Sequence, residues 1–171
     1  IIEHASKTDY SAYGIPADNP DVVKGEAGSP YAIRDYYDVD PDLAKDPSKR
    51  IHEFELLVER THKAGLKVII DFVPNHVARQ YHSDAKPAGV RDLGEDDVKT
   101  CSFSTDNNFY YLPSEQLHLD NILPEGAAGT YMEKPAKATG NDNFSAWPSR
   151  NDWYETVNLN YGVDILCGRQ T

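Results

Sequence analysis

The sequence predicts an α/β fold with an irregular, partly β inserted subdomain, and three observations lead there. An amphipathic helical pattern fills residues 47–65. A glycine ends it, and a β-branched apolar run of strand length follows at once, over residues 66–73. From Val77 to about Val157 regular periodicity is lost. Helix, glycine and buried strand form the αβ half of a βαβ unit. A structureless loop as long as 77–157 is uncommon inside a compact domain, so that stretch is read as a subdomain inserted after the strand.

Residues 1–46 carry Gly14, Pro16, Pro20, Gly25, Gly28, Pro30 and Pro41, a density of breakers that argues for an extended, loop-rich segment. Within it, residues 32–39 read as a short extended stretch. The helix has its start and stop signals. Asp46 can cap it, and Pro47 suits the first helical position. Ile51, Phe54, Leu57 and Val58 make one apolar face. Gly65 stops it, with Lys63 in the last turn. Residues 66–73 are apolar on both faces from Val68 to Ile70, the mark of a strand covered on both sides, as in a parallel sheet. Beyond it, turn signals recur at Pro87, Gly89, Pro113, Pro124, Gly126, Gly129, Gly140 and Pro148, among scattered aromatics.

Bulk composition narrows the partners. The chain has 171 residues and a net charge of −11, the size of one ordinary domain. An acidic surface repels phosphate backbones, so nucleic acid and anionic membrane are poor partners. No apolar run approaches the roughly 18 residues of a membrane span. The sequence opens at Ile1-Ile2 without an initiator Met, so targeting is not legible; a secreted or periplasmic home is compatible with it. Cys101 and Cys167 are too few for a disulfide framework and are read as free, mostly buried thiols. Eleven Tyr and two Trp stand against five Phe. Tyr and Trp join a flat apolar face to a polar tip, which suits sugars, and equally suits loops that pack on themselves.

Chemistry concentrates where the strand ends, at Asp71-Phe72-Val73-Pro74-Asn75-His76. Residues at the C-terminal ends of parallel strands face the ligand side of an α/β fold. A carboxylate, an amide and an imidazole gathered there can orient a substrate hydroxyl or ligate a cation. The alternative is a strand that simply ends in polar turn residues; the helix–glycine–strand before the motif and the long excursion after it favour function.

From Tyr31 to His76 the chain resembles the alpha-amylase family of glycoside hydrolases. The resemblance rests on Tyr31-Ala-Ile-Arg-Asp35-Tyr36, on the helix from Phe54 to Gly65, and on a strand ending with Asp71, Asn75 and His76, in that order. Val157-Asn158-Leu159-Asn160 is similar to a short motif near the end of the family's inserted subdomain, although an acid usually stands where this chain has Asn158. The resemblance implies a fragment of a (β/α)8 barrel. Residues 1–76 would be partial catalytic barrel, 77–157 the inserted subdomain, and 158–171 the return towards the barrel. It implies that Asp71 supports the site, that Asn75 (with Asn158) ligates calcium, that His76 bonds a sugar hydroxyl, and that Tyr31 stacks on that sugar. The nucleophile and the acid/base would lie on later strands; no catalytic residue is expected in this chain.

The resulting expectation is a segment of a retaining alpha-glucan hydrolase or transglycosylase, acting on starch or maltooligosaccharides, inactive by itself and holding calcium weakly or not at all. Its acids are expected mostly in solvated loops. The apolar strand should leave it exposed, self-associating or paired with the remainder of the barrel. Two other readings compete with it. A zinc hydrolase is disfavoured because the six histidines show no HExxH pattern. A non-catalytic carbohydrate-binding module would use Tyr131, Trp147, Trp153 and Tyr154 as platforms. Such modules are usually β-sandwiches, which the helix–strand unit argues against; the four aromatics are read mainly as subdomain core, one or two of them lining a sugar subsite.

Overall fold

The structure, a computed structural model, describes residues 1–123 and 129–166. The breaker-rich start folds back as a hairpin-like pair. Strand β1 (Ile2–His4) lies antiparallel to β2 (Ile33–Val39), so the extended stretch read at 32–39 is found. Gly28 makes the return tight: its φ is +75°, and a Cβ there would come within 1.9 Å of the Ala5 carbonyl oxygen. Three single-turn 3-10 helices, at Pro20–Val22, Pro41–Leu43 and Pro47–Lys49, share one device. Asn19, Asp40 and Asp46 each precede a proline and accept the N–H two residues on. Proline supplies the φ, and the short side chain satisfies the freed donor.

The expected helix is present, as the Pro47–Lys49 turn running into α1 (Arg50–Lys63). Glu53 reaches back to accept from the N–H groups of Lys45 and Asp46, both at 3.0 Å, which supports the helix start as a capping box does. Gly65, at φ +76°, ends it. Its apolar face is not covered. No residue of α1 is buried, and Ile51 and Leu57 are exposed.

The strand expected over residues 66–73 is a correction. This segment has no regular secondary structure and makes no strand pairing, and Ile69 is 93% exposed. Strand structure begins only at β3 (His76–Ala78), after Pro74, which was expected to end the strand. The physical reason is the missing neighbour. A strand apolar on both faces is stable only between two others, and no described residue pairs with its edges. No parallel sheet or closed barrel forms among the described residues. The observed sheets are three antiparallel pairs: β1–β2, β3 with β6 (Thr156–Asn158), and β4 (Tyr111–Leu112) with β5 (Ala136–Lys137).

The core therefore sits in the region that lacked periodicity. Leu112, Leu117, Leu119, Ile122 and Tyr154 pack together with Val22. Val77, Phe109, Tyr111 and Val157 form a second cluster across β3 and β6. Between them Arg79 is buried. Its Nη1 donates to Glu133 Oε1 at 2.6 Å, and its Nε donates to the Tyr154 carbonyl. Of the four aromatics named above, Tyr154 is core and Tyr131 packs against it, while Trp147 and Trp153 are exposed. The Cys101 thiol is free; Cys167, Pro124 and Gly126 lie outside the described residues.

Candidate functional site

His76 is where the expected site residues converge. It opens β3 and lies directly opposite Asn158 in β6. Leu159 N–H donates to the Asn75 carbonyl at 3.0 Å, extending the pairing one residue beyond the strands. The imidazole is buried, and Gly140 lets the backbone pass against it. A Cβ on Gly140 would lie 2.9 Å from His76 Cβ and 2.4 Å from Thr156 Oγ1. Burial lowers the His76 pKa, against the opposing pull of a hydrogen bond with the Tyr31 backbone. The ring is thus neutral near pH 7. Asn75 Nδ2 lies 2.5 Å from His76 Nδ1. An amide nitrogen only donates, so Nδ1 accepts and the proton sits on Nε2. With Nδ1 taken by Asn75, the neutral ring has only its Nε2–H to offer an uncharged hydroxyl, in exchange for the bond to the Tyr31 backbone.

Tyr31 is 53% exposed, its ring in solvent while its backbone meets His76. Asp71 is exposed on the unpaired 66–74 segment and shares a recess of about 180 Å³ with Tyr31 and Val73. The structure thus joins Asn75, His76 and Asn158 closely, and Asp71 with Tyr31. A second recess, about 260 Å³, is lined by Tyr36, Phe72, Tyr81, Arg91 and Tyr161 and does not include His76.

The calcium donors read from sequence do not make a full shell. Asn158 Nδ2 donates to Asp142 Oδ1, and Asn75 spends its amide nitrogen on His76. Two amide oxygens and one hydrogen-bonded carboxylate fall short of the six to eight oxygens calcium takes.

Most acids lie outside the core, as expected, but Glu3, Asp35 and Asp38 are buried on the β1–β2 pair. With Asp84 they bring carboxylate oxygens within 4.8 Å of one another. Arg34 Nη1 donates to Glu3 Oε1 at 2.5 Å, and Arg50 Nε donates to Asp38 at 2.8 Å. Asp35 accepts from the N–H groups of Tyr37 and Asp84 at 2.7 and 3.1 Å. Burial pushes the Glu3 carboxyl up to about 7, Arg34 opposing it. The separations suit a glycosidase carboxyl pair. Glu3, Asp35 and Asp38 are closed to substrate and paired with arginines or backbone N–H groups, which is the signature of a structural network; Asp84, at its edge, is exposed and lies 3.8 Å from Arg50 Nη2. The sequence offered only Asp35 and Asp38 within one short extended stretch, three residues apart and so not on one alternating face.

Comparison with known proteins places this geometry in context. The model of the family described as alpha amylase, catalytic domain, matches residues 18–156. Maltase 1 of Drosophila virilis is 34% identical over 67 residues, 39% of this chain and 10% of that protein. The 1,4-alpha-glucan branching enzyme GlgB of Bacillus caldolyticus is 29% identical over 135 residues, 67% of this chain and 17% of that protein. The amino acid transporter heavy chain SLC3A1 of Rattus norvegicus is 39% identical over 51 residues, 30% of this chain and 7% of that protein. The chain thus spans less than a fifth of each of these relatives. No solved structure matches it significantly.

Proposed function

The chain belongs to the alpha-amylase family, and we propose that it is the part of a retaining alpha-glucan hydrolase or transglycosylase that holds the sugar beside the reacting bond without carrying the catalytic carboxylates. The observation that carries this reading is His76, a buried neutral imidazole fixed by Asn75 and by the Tyr31 backbone. In the proposed complex His76 bonds a sugar hydroxyl and Tyr31 stacks on the same sugar. Asp71, in the recess beside Tyr31, steadies that contact. Holding does not cleave. Cleavage needs an acid to protonate the leaving oxygen and a carboxylate to attack the anomeric carbon, roughly 5–5.5 Å apart across an accessible bond. The buried Glu3 and Asp38 that lie close together are tied to Arg34 and Arg50. Asp71 is open to substrate.

The names of the relatives support an alpha-glucan as substrate, through maltase and the branching enzyme. The test is an activated maltooligosaccharide assay of this chain beside a longer one continuing through the remaining strands. Activity is expected in the longer chain only, and His76→Ala should lower it. Turnover by the 171-residue chain would overturn the proposal.

A further inference from the structure

Trp153 stands beside His76 with its side chain in water. The ring centroids are 5.3 Å apart and the planes are tilted by 55°, so the imidazole does not cover the indole face. The residue is 43% exposed. Its backbone lies in the left-handed region at φ +47°, where a bulky side chain costs about 1–3 kcal/mol. The chain that leaves that strained residue is clamped. Its carbonyl accepts from the N–H and the Oγ1 of Thr156, each at 2.9 Å. The buried Arg79 donates from Nε to the Tyr154 carbonyl and from its own N–H to the Glu155 carbonyl. The surroundings thus hold an unfavourable backbone whose effect is to keep a large apolar ring out of the core. Packing alone would reward the opposite.

Trp147 is the contrast. It is exposed as well, but its ring lies flat on His118, with centroids 3.7 Å apart and planes 3° from parallel, so one face is already used.

We propose that Trp153 is a sugar platform: its indole takes the apolar face of one pyranose unit of an alpha-glucan, adjoining the unit whose hydroxyl His76 bonds. This rests on the reading of His76 given above. A pyranose has a flat C–H face rimmed by hydroxyls, and the indole with the His76 imidazole beside it offers the matching pattern. The chain's net charge of −11 disfavours an anionic ligand.

The experiment uses the Trp147→Phe chain, in which Trp153 is the only tryptophan, titrated with maltoheptaose while its emission is followed. A saturable change is expected. Trp153→Gly should weaken binding roughly tenfold, measured by calorimetry, and Trp153→Phe should restore most of it. Glycine accepts φ +47° without strain, so the Trp153→Gly chain should be as stable in urea as the parent, or more so. A merely structural role predicts the reverse, lost stability with unchanged affinity. Maltoheptaose binding by the parent with undiminished affinity in Trp153→Gly would overturn the platform alone. No saturable binding by the parent at millimolar maltoheptaose would overturn the sugar reading of His76 and the platform together.

Discussion

Replacing Arg79 by Met should be among the most damaging single changes in the chain. The guanidinium is buried. It donates to Glu133 Oε1 at 2.6 Å, to the Lys137 carbonyl at 3.3 Å and to the Tyr154 carbonyl. Glu133 is buried with it and also accepts from the Tyr131 hydroxyl at 2.9 Å and the Lys137 N–H at 2.8 Å. Burial alone would raise the Glu133 pKa, yet Arg79 and Lys137 bring it below its ordinary value. Methionine fills similar volume, so cavity formation is minor and the main loss is electrostatic. Removing one partner of a buried pair costs about 3–5 kcal/mol, because the other charge is left uncompensated. Lys137 Nζ remains 3.5 Å from Glu133 Oε2 and offsets part of this, which places the expected cost near 3 kcal/mol.

Urea unfolding followed by circular dichroism reads this directly. With m of about 2 kcal/mol/M, the midpoint should fall by about 1.5 M. The double variant Arg79→Met/Glu133→Leu separates the pair from general disruption. Replacing both charges by apolar groups removes the buried orphan, so the double variant should recover more than half of the loss. A single-variant shift below about 0.3 M, or a double variant no better than the sum of its singles, would refute the argument.

Three further outcomes are expected. Glu3, raised to about 7 from 4.5 by burial, binds its proton more readily folded than unfolded; its contribution is therefore full below about 4.5 and is lost as pH rises through 7. Glu133, held low, works in the opposite sense, stabilising above its unfolded pKa and losing that as pH falls; melting temperatures at pH 5 and pH 8 should show Glu3→Gln losing stability at the lower pH relative to the parent, and an unchanged pH profile would contradict this. Ile69→Lys should cost under about 0.5 kcal/mol at so exposed a position, yet it should cut the binding of a dye that reports apolar surface and lower the association state seen by light scattering. Gly140→Ala should destabilise by about 1–3 kcal/mol, since its Cβ meets Thr156 and His76, and should shift the His76 ring signals by NMR.

What the sequence made legible was local. Asp46-Pro47, Glu53 and Gly65 mark the helix because capping and stop signals act within a turn or two, and α1 obeys them. Residues 66–73 failed for the complementary reason. Their β-branched run states what the segment would bury and says nothing about which strand lies beside it. Pairing is non-local, and no described residue supplies it, so Ile69 stands in water. The subdomain inverts the case. It shows no period, and its order comes from contacts distant in sequence, such as Val77 against Val157 and Arg79 against Glu133.

The site divides along the same line. Asn75 and His76 are adjacent in sequence and were legible as a motif; their opposition to Asn158 is a register, fixed only once β3 and β6 pair. The acids of β2 were missed because alternation on a strand tells which side a carboxylate takes, and not that Arg34 and Arg50 will be there to allow its burial. Trp153 carried no sequence signal beyond being aromatic. Its left-handed backbone and its place at His76 arise from the clamp that Thr156 and Arg79 put on the chain around it. That clamp ties site to stability. The Arg79 side chain holds the Tyr154 carbonyl that follows Trp153 as well as Glu133. Arg79→Met should therefore loosen the strained turn before the subdomain unfolds, with Trp153 emission responding at lower urea than the far-ultraviolet signal in the Trp147→Phe background. Coincident transitions would mean that the Thr156 bonds and the backbone N–H of residue 79 hold the turn without the guanidinium.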